Sequence, residues 1–221
     1  MTVTVPVRVP IRNLQLEPGS AVAIANISWE EFEAILADLG EQRSSRMTYY
    51  QGTLQIMAPM PAHERPHRLV GKIVEILLDA EERDWEDFGS TTFRRKQKQA
   101  GLEPDTCFYI QNAANVRDCM EPMDLERDPP PDLAIEADVT SPTILAVYEA
   151  LQIPEVWVYK QGRLVIYVLQ AGKYVQSTIS PTFPNHDILH LIPNLVQRAL
   201  KEGSSQVLRQ LRRQVAEHNQ D

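Results

Sequence analysis

The sequence predicts an α/β fold in which a mixed β-sheet is flanked by helices. Long segments carry apolar residues at helical spacing, and turn-forming residues separate short β-rich runs. From residue 62 onward the predicted elements follow in the order helix, three strands, helix, strand (αβββαβ). A helix that crosses between two strands brings them parallel in one sheet, so this sheet should be partly parallel.

The amino-terminal part predicts an edge strand, a capped helix and a hairpin. Residues 1–26 alternate as a strand does but contain prolines, which cannot donate to a β-ladder and so favour an arm or edge strand. Ser28, with Glu31 three residues later, forms a capping box that begins a helix closed by Gly40. Residues 46–57 alternate around a Gln-Gly pair, which predicts a β-hairpin.

The rest of the chain predicts a long second helix, further strands and two helices at the carboxyl end. The long helix runs from about Ala62 to Arg83, and Ser141-Pro142 begins another helix. We expect an arm over 1–26, one α/β domain over 27–193 and a helical extension over 194–221. The predicted strands are 88–93, 105–111, 132–140, 155–159, 163–169 and 173–179, and the final helices are 194–201 and 205–216.

Composition excludes several classes of protein. The net charge of −8 argues against non-specific nucleic-acid binding over the whole surface. No apolar run is long enough to cross a bilayer, and the first residues lack the pattern of a secretory signal. The two cysteines, Cys107 and Cys119, cannot make a disulfide framework. We therefore expect a cytoplasmic protein that has no membrane partner.

Carboxylates stand at the ends of two predicted central strands. Asp105 opens one strand, and Glu136 and Asp138 project from one face of another because they lie two residues apart. Each acid alone has a simpler explanation, such as a strand start or an exposed edge. Together they would be costly without a partner, because unpaired buried carboxylates are strongly disfavoured. A bound metal ion is the simplest explanation.

Positive charge is clustered in two places despite the negative total. Arg94, Arg95, Lys96 and Lys98 lie just before Asp105. A second group of arginines lies near the carboxyl end. A basic patch beside acidic metal ligands would suit a phosphodiester substrate. A solvated loop and a solvated helix face explain the same residues equally well.

The element order and the acids together resemble the restriction-endonuclease-like fold of the PD-(D/E)XK nuclease superfamily, and more narrowly its Uma-type family. The resemblance runs from about Ser28 to Leu191. Each motif is short, but their order and spacing together are fairly specific. The matching segments are Ser28-Trp-Glu-Glu-Phe-Glu33, Gly52-Thr-Leu-Gln-Ile-Met-Ala-Pro59, His63-Glu64, Glu103-Pro-Asp105, Pro131-Asp-Leu-Ala-Ile-Glu136, Thr140-Ser-Pro-Thr143 and Ile153-Pro-Glu-Val-Trp157.

This resemblance implies a Mg²⁺-dependent (or Mn²⁺-dependent) endonuclease that hydrolyses phosphodiester bonds of nucleic acid, with DNA as the expected substrate. Matched by position, Glu64 is the helix ligand of the metal and Asp105 the first strand ligand. The second strand ligand is Glu136 or Asp138, and the spacing leaves both open. Nucleases of this fold commonly pair to cut two strands, so the resemblance also implies a homodimer.

The chain departs from the superfamily at the catalytic lysine. Asp138 occupies the third position of the motif, where the superfamily has lysine, and residues 142–153 contain no basic residue that could replace it. Lys96 and Lys98 are the candidates to activate water or contact phosphate. The alternative hypothesis is a catalytically degenerate nuclease fold that acts as a binding or regulatory module.

A third hypothesis, a zinc hydrolase, rests on His63-Glu64-Arg65-Pro66-His67, which matches the H-E-x-x-H motif. That motif needs both histidines on one face of a continuous helix. Proline is tolerated only in a first turn, so we expect His67 to begin the helix and His63 to precede it. On this argument His67 is a neighbour of the acid site rather than a zinc ligand.

Overall fold

In a computed structural model, the described part of the chain contains twelve strands and six α-helices. The structure describes residues 10–40, 43, 45–119, 123–136 and 142–218, apart from the side chains of 61–64, 142–143 and 218. The helices are α1 Trp29–Leu39, α2 Pro61–Ala80, α3 Ala113–Val116, α4 Pro142–Leu151, α5 Ile188–Glu202 and α6 Ser204–His218. The strands are β1 Ala21–Ile24, β2 Arg46–Tyr50, β3 Thr53–Met57, β4 Glu86–Asp87, β5 Phe93–Arg95, β6 Ala100–Leu102, β7 Thr106–Tyr109, β8 Met123–Asp124, β9 Leu133–Glu136, β10 Glu155–Lys160, β11 Arg163–Gln170 and β12 Lys173–Ser177.

The strands form two six-stranded sheets, where the sequence predicted one. The first sheet has the order β1-β3-β2-β6-β5-β8, and the second has the order β12-β11-β10-β9-β7-β4. The chain passes from the first sheet to the second between β6 and β7, through Glu103-Pro104-Asp105. Proline has no N–H for a ladder, so Pro104 ends the pairing there. Asp105 therefore stands where the chain changes sheets.

The predicted mixed α/β class is confirmed. β9 and β10 pair in parallel and are connected through α4, as the helix-strand order predicted. β10, β11 and β12 then continue the second sheet as antiparallel neighbours. Helices α2, α5 and α6 pack with this sheet in one apolar core. α4 packs in a second core that lies between the two sheets.

The amino-terminal predictions are confirmed where the structure describes them. Ser28 accepts a hydrogen bond from the Glu31 amide, and the Glu31 carboxylate accepts one from the Ser28 amide, which completes the capping box. Gln51 and Gly52 have positive φ, as a tight hairpin requires. β1 pairs with β3 at the edge of the first sheet. The predicted alternation of Val3, Val5, Val7 and Val9 lies outside the described residues.

The long helix predicted from about Ala62 to Arg83 is confirmed as α2, and one face of it is apolar and buried. Leu69, Val70, Ile73, Ile76 and Leu77 are all buried. Gly71 lies against β7, and a Cβ atom there would be 3.6 Å from the Thr106 side chain. This close approach holds α2 directly over the strand that Asp105 opens.

Two boundaries differ from the prediction. The predicted strand 88–93 is wrong except at Phe93, which begins β5; a turn over Phe88–Thr91 separates β4 from β5, with the Thr91 amide donating to the Phe88 carbonyl. α5 begins at Ile188 rather than at residue 194, and Pro193 lies inside it. The apolar face of α5 already starts at Ile188, and its burial favours the earlier start. The predicted domain boundary at 193/194 thus falls within α5.

Candidate active site

Strand pairing brings the two strand acids together. β7 and β9 are antiparallel, with Thr106 opposite Ile135, and one more step in this register places Asp105 opposite Glu136. Their carboxyl groups lie within hydrogen-bonding reach of each other. Both are largely withdrawn from solvent: Glu136 is 8% exposed, and the Asp105 side chain is 11% exposed. Two acids that are distant in the chain therefore form one carboxylate pair.

The electrostatics of this pair favour a cation. Burial is the main cause that raises the pKa of Glu136 well above its ordinary value, and the charge of Asp105 raises it further. A hydrogen bond from Tyr148 and the charge of Arg46 oppose that rise. Two adjacent carboxyl groups cannot both ionise cheaply in such a setting. A proton or a metal ion must offset the second charge.

Tyr148 holds the Glu136 carboxylate in place. Its hydroxyl donates a hydrogen bond to Glu136 Oε1 from the completely buried face of α4. Burial, followed by the charge of Glu136, raises the pKa of Tyr148 well above its ordinary value, so the hydroxyl remains a donor. Helical spacing identified Tyr148 only as a core residue. Its contact with Glu136 depends on how α4 packs, and no sequence pattern indicated it.

Arg46 brings a positive charge to the pair from the other sheet. Its Nε lies 3.3 Å from Asp105 Oδ1, and its Nη1 donates to the Pro104 carbonyl at 2.7 Å. Arg46 begins β2, so this guanidinium connects the first sheet to the segment where the chain changes sheets. Sequence reasoning missed Arg46 because an arginine at the start of a hairpin usually faces solvent.

α2 supplies the next neighbour of Asp105. His67 is buried, and its Nδ1 lies 4.0 Å from Asp105 Oδ2. The prediction that His67 is a neighbour of the acid site is therefore confirmed. Glu64 belongs to the same helix one turn earlier, but its side chain lies outside the described residues. Asp138 also lies outside them, so both predicted ligands stay predictions.

A cleft of about 340 Å³ opens beside the pair. Asp105 and Thr106 form one side of it, and α2 forms another with Arg68 and Lys72. The predicted lysines lie elsewhere: Lys96 Nζ is 3.1 Å from Glu30 Oε1 at the start of α1, and Lys98 is exposed. Neither is among the described residues that line the cleft.

Comparison with known proteins now decides the family. The model of the Uma2 family, described as "Putative restriction endonuclease", matches residues 29–201. The chain belongs to the Uma2 family. The resemblance that the sequence motifs predicted is thereby confirmed, and the family assignment supports a nuclease function.

The solved structures that are similar to the chain include the "putative nuclease belonging to DUF820" from Anabaena variabilis ATCC 29413. It shares 16% sequence identity and gives a TM-score of 0.46. The match covers 68% of this chain and 89% of that one. A search of curated proteins gives no match. Within the described residues no helix is long and apolar enough to cross a membrane.

Restriction-endonuclease-like families such as Uma2 generally use divalent metal ions. Asp105 and Glu136 suit such an ion, because they offer hard oxygen ligands and because their mutual repulsion would be relieved by a positive charge between them. Among side chains that the structure describes, no three His, Cys, Asp or Glu residues form a metal cluster. The carboxylate pair therefore brings together two of the four acids that the sequence predicted as metal ligands, and their role as ligands stays a prediction.

Other buried carboxylates have structural partners. Glu103 forms an ion pair with Arg43 and accepts a hydrogen bond from Thr92 at 2.9 Å. Glu155 accepts a hydrogen bond from the Trp157 indole at 2.6 Å and two more from Thr182. Donors of the fold itself surround these acids. The Asp105–Glu136 pair also has donors, Arg46 and Tyr148, but differs because its two acids face each other.

The helix argument against a zinc site is corrected. α2 begins at Pro61, and Pro66 lies inside it, so His67 does not begin the helix as expected. Pro61 suits the first helical position, and the first turn forms there. Pro66 costs one i→i−4 bond without ending the helix. His67 does lie beside Asp105, while the side chains of His63 and Glu64 lie outside the described residues.

Proposed function

We propose that this Uma2-family protein is a Mg²⁺-dependent endonuclease that hydrolyses phosphodiester bonds of DNA. The observation that carries the proposal is the pairing of Asp105 with Glu136 at the edge of a cleft that also holds basic side chains. The family assignment supports nuclease chemistry, and the paired acids are the residue types that such chemistry requires.

In this proposal Asp105 and Glu136 hold the metal, together with Glu64 from α2. Asp138 remains the alternative to Glu136 that the sequence left open. When bound, Mg²⁺ lowers the pKa of water near the substrate and offsets the charge that builds on the cleaved phosphate. Tyr148 fixes one oxygen of Glu136, and the Glu136 carboxyl group also lies within hydrogen-bonding reach of Asp105.

A positive charge must replace the lysine that the motif lacks. Arg46 is the basic group that contacts Asp105 directly, and arginine stays protonated at any relevant pH. It can offset charge on a phosphate but cannot serve as a general base at neutral pH. Lys96 and Lys98, predicted for this role from the sequence, would have to leave their observed positions to act. A loss of cleavage on replacing them would support that prediction.

The second candidate function is a catalytically degenerate nuclease fold that binds nucleic acid without cutting it. Asp138 at the position of the motif lysine favours this candidate. Both functions use the same cleft and the same carboxylates. They differ only in whether bound substrate is hydrolysed.

Cleavage of supercoiled plasmid and of labelled DNA, in Mg²⁺ and in Mn²⁺, tests the proposal. We expect metal-dependent cleavage by the wild type and none by Asp105→Ala. Titration calorimetry with Mg²⁺ should show binding that Asp105→Ala loses. Metal binding without cleavage of any DNA or RNA would reject the nuclease and favour the binding module. Absence of both metal binding and cleavage would reject the site itself.

The cytoplasmic location and the homodimer complete the proposal. Free Cys107 and Cys119 are compatible with a reducing compartment. A dimer would let two cleavage sites act on the two strands of a duplex. Light scattering with and without DNA would measure the assembly state.

A further inference from the structure

The cleft beside Asp105 collects three basic side chains from two elements. Arg46 comes from β2, and Arg68 and Lys72 come from α2. Residues 68 and 72 are one helical turn apart, so they lie on one face of α2, and both are exposed. The chain as a whole has a net charge of −8, so three positive side chains beside one carboxylate pair contrast with the overall charge.

Packing fixes the position of these cations. Leu69, Val70 and Ile73 are buried, which sets the rotation of α2 about its axis. Gly71 lies against Thr106, so the helix approaches the start of β7 closely. The exposed residues on either side of this contact, Arg68 and Lys72, therefore border the cleft. Their charge faces the space in front of Asp105.

The cleft also contains two further acids, and the fold partly offsets them. Asp87 Oδ1 accepts hydrogen bonds from the Thr106 hydroxyl at 3.0 Å and from the Gly89 amide at 2.7 Å. Burial raises the pKa of Glu75, and the charge of Asp87 raises it further, while Lys72 opposes the rise. Hydrogen bonds therefore offset part of the charge of Asp87, and burial disfavours the charged form of Glu75.

We propose that Arg46, Arg68 and Lys72 form a cationic wall that binds the phosphodiester backbone of a nucleic acid next to the Asp105–Glu136 pair. The inference rests on the proposed function and names its binding surface. Arginine forks match phosphate oxygens, and lysine adds a point charge. The basic turn before β6 is the weaker candidate, because Arg94, Arg95, Lys96 and Lys98 are not among the described residues that line the cleft.

Binding of a short fluorescein-labelled DNA duplex, measured by anisotropy in Ca²⁺ to avoid hydrolysis, tests the wall. An RNA of the same sequence provides a second probe. We expect the R68M/K72M double variant to bind at least about tenfold more weakly, with a salt dependence reduced by about two phosphate contacts. Arg46 is kept in this test, because its buried ion pair also serves the fold.

A matched control comes from Arg127 and Lys173. Both are exposed, they pair with Asp124 and Glu149, and neither is among the described residues that line the cleft. The R127M/K173M variant removes the same two charges, so binding should stay within about twofold of the wild type. Thermal unfolding of both double variants checks that each remains folded.

Four results would overturn the inference. They are unchanged binding in R68M/K72M, an equal loss in both double variants, a larger loss in K96M/K98M than in R68M/K72M, and no binding of either DNA or RNA by the wild type. A cleavage assay in Mg²⁺ tests the proposed function separately. Binding that depends on Arg68 and Lys72, without cleavage, rejects the nuclease and keeps the wall. Cleavage and binding that are unchanged in R68M/K72M reject the wall and keep the nuclease.

Discussion

Two Pro-Asp pairs occupy opposite ends of the same two strands, and their carboxylates have different surroundings. Asp132 precedes β9, next to the end of β7, where its Oδ2 accepts hydrogen bonds from the amides of Ile110 at 2.7 Å and Gln111 at 2.9 Å. Asp105 precedes β7, next to the end of β9, where it faces Glu136. The same dipeptide thus appears in two roles.

The difference lies in what each carboxylate meets. Peptide N–H groups compensate the charge of Asp132, and that acid joins the two strands. Asp105 and Glu136 have the partners Arg46 and Tyr148, but they also face each other, and a cation can relieve their mutual repulsion. Two buried acids that face each other therefore point to function in this fold, whereas an acid held by donors alone points to structure. Four changes would break or sharpen this comparison.

The largest expected effect is on metal binding by Asp105→Ala. Removing one of the few carboxylate ligands should weaken Mg²⁺ binding by at least about 100-fold, since loss of a mere supporting group already costs up to that much. Titration calorimetry measures it. Asp132→Ala is the matched control and should bind metal normally per folded molecule. Equal losses in both variants would remove the distinction between the two ends.

Asp132→Ala should instead be the variant that loses stability. It leaves two amide groups at the end of β7 without their acceptor, which should lower the free energy of unfolding by about 2–3 kcal/mol. Denaturant unfolding in the presence of a chelator measures this loss. A smaller loss of stability in Asp132→Ala than in Asp105→Ala would contradict the assignment of Asp132 to stability and of Asp105 to the site.

Tyr148→Phe should weaken metal binding by about tenfold, because it removes the hydroxyl that orients Glu136. Tyr174→Phe is the control: its hydroxyl donates to the Ile153 carbonyl at 2.6 Å, so its loss should affect stability alone. Calorimetry and thermal unfolding are compared for both variants. If Tyr148→Phe lowers stability and leaves the metal affinity unchanged, Tyr148 stabilises the core and does not orient Glu136 for metal binding.

The smallest expected effect is a pH dependence of stability in Glu136→Gln. The raised pKa of Glu136 stabilises the fold below its unfolded pKa near 4.5, and this contribution is lost as pH rises through the folded value. In chelator, the variant should therefore gain stability relative to the wild type as pH rises above about 4.5, by the order of 1 kcal/mol.

Glu149→Gln should change the pH dependence of stability in the opposite direction to Glu136→Gln. A hydrogen bond from Lys173 lowers the pKa of Glu149, so its contribution is present above its unfolded pKa and is lost as pH falls. This variant should lose stability relative to the wild type at pH 8 and recover it in acid. Parallel curves for the two variants would contradict the electrostatic account of Glu136.

Sequence reasoning found the site acids through local patterns and missed the groups around them. Asp105 and Glu136 were detectable because each stands at one end of a short β-rich run. Arg46, Tyr148 and Lys72 were not, because an arginine in a hairpin, a core tyrosine and a helix-surface lysine look ordinary alone. Lys96 was predicted for the site because it is close to Asp105 in the chain, yet its charge pairs with Glu30.

The sequence by itself determined the elements that short-range physics specifies. The Ser28 capping box, the Gln51-Gly52 hairpin and the stripe of α2 depend on contacts within a few residues. The residue spacing that specifies each of these elements does not depend on the rest of the fold, so each could be predicted from the sequence. The family motifs likewise lie in short segments, and the family followed from their order.

Only the tertiary structure decided which residues meet. The strand register that sets Asp105 against Glu136 joins segments far apart in the chain, and the strands before and after Pro104 belong to different sheets. Arg46 reaches Asp105 from the other sheet, and α2 brings Arg68 and Lys72 to the same cleft. Charges act through space, so the chemistry of this site depends on distances that no local pattern contains.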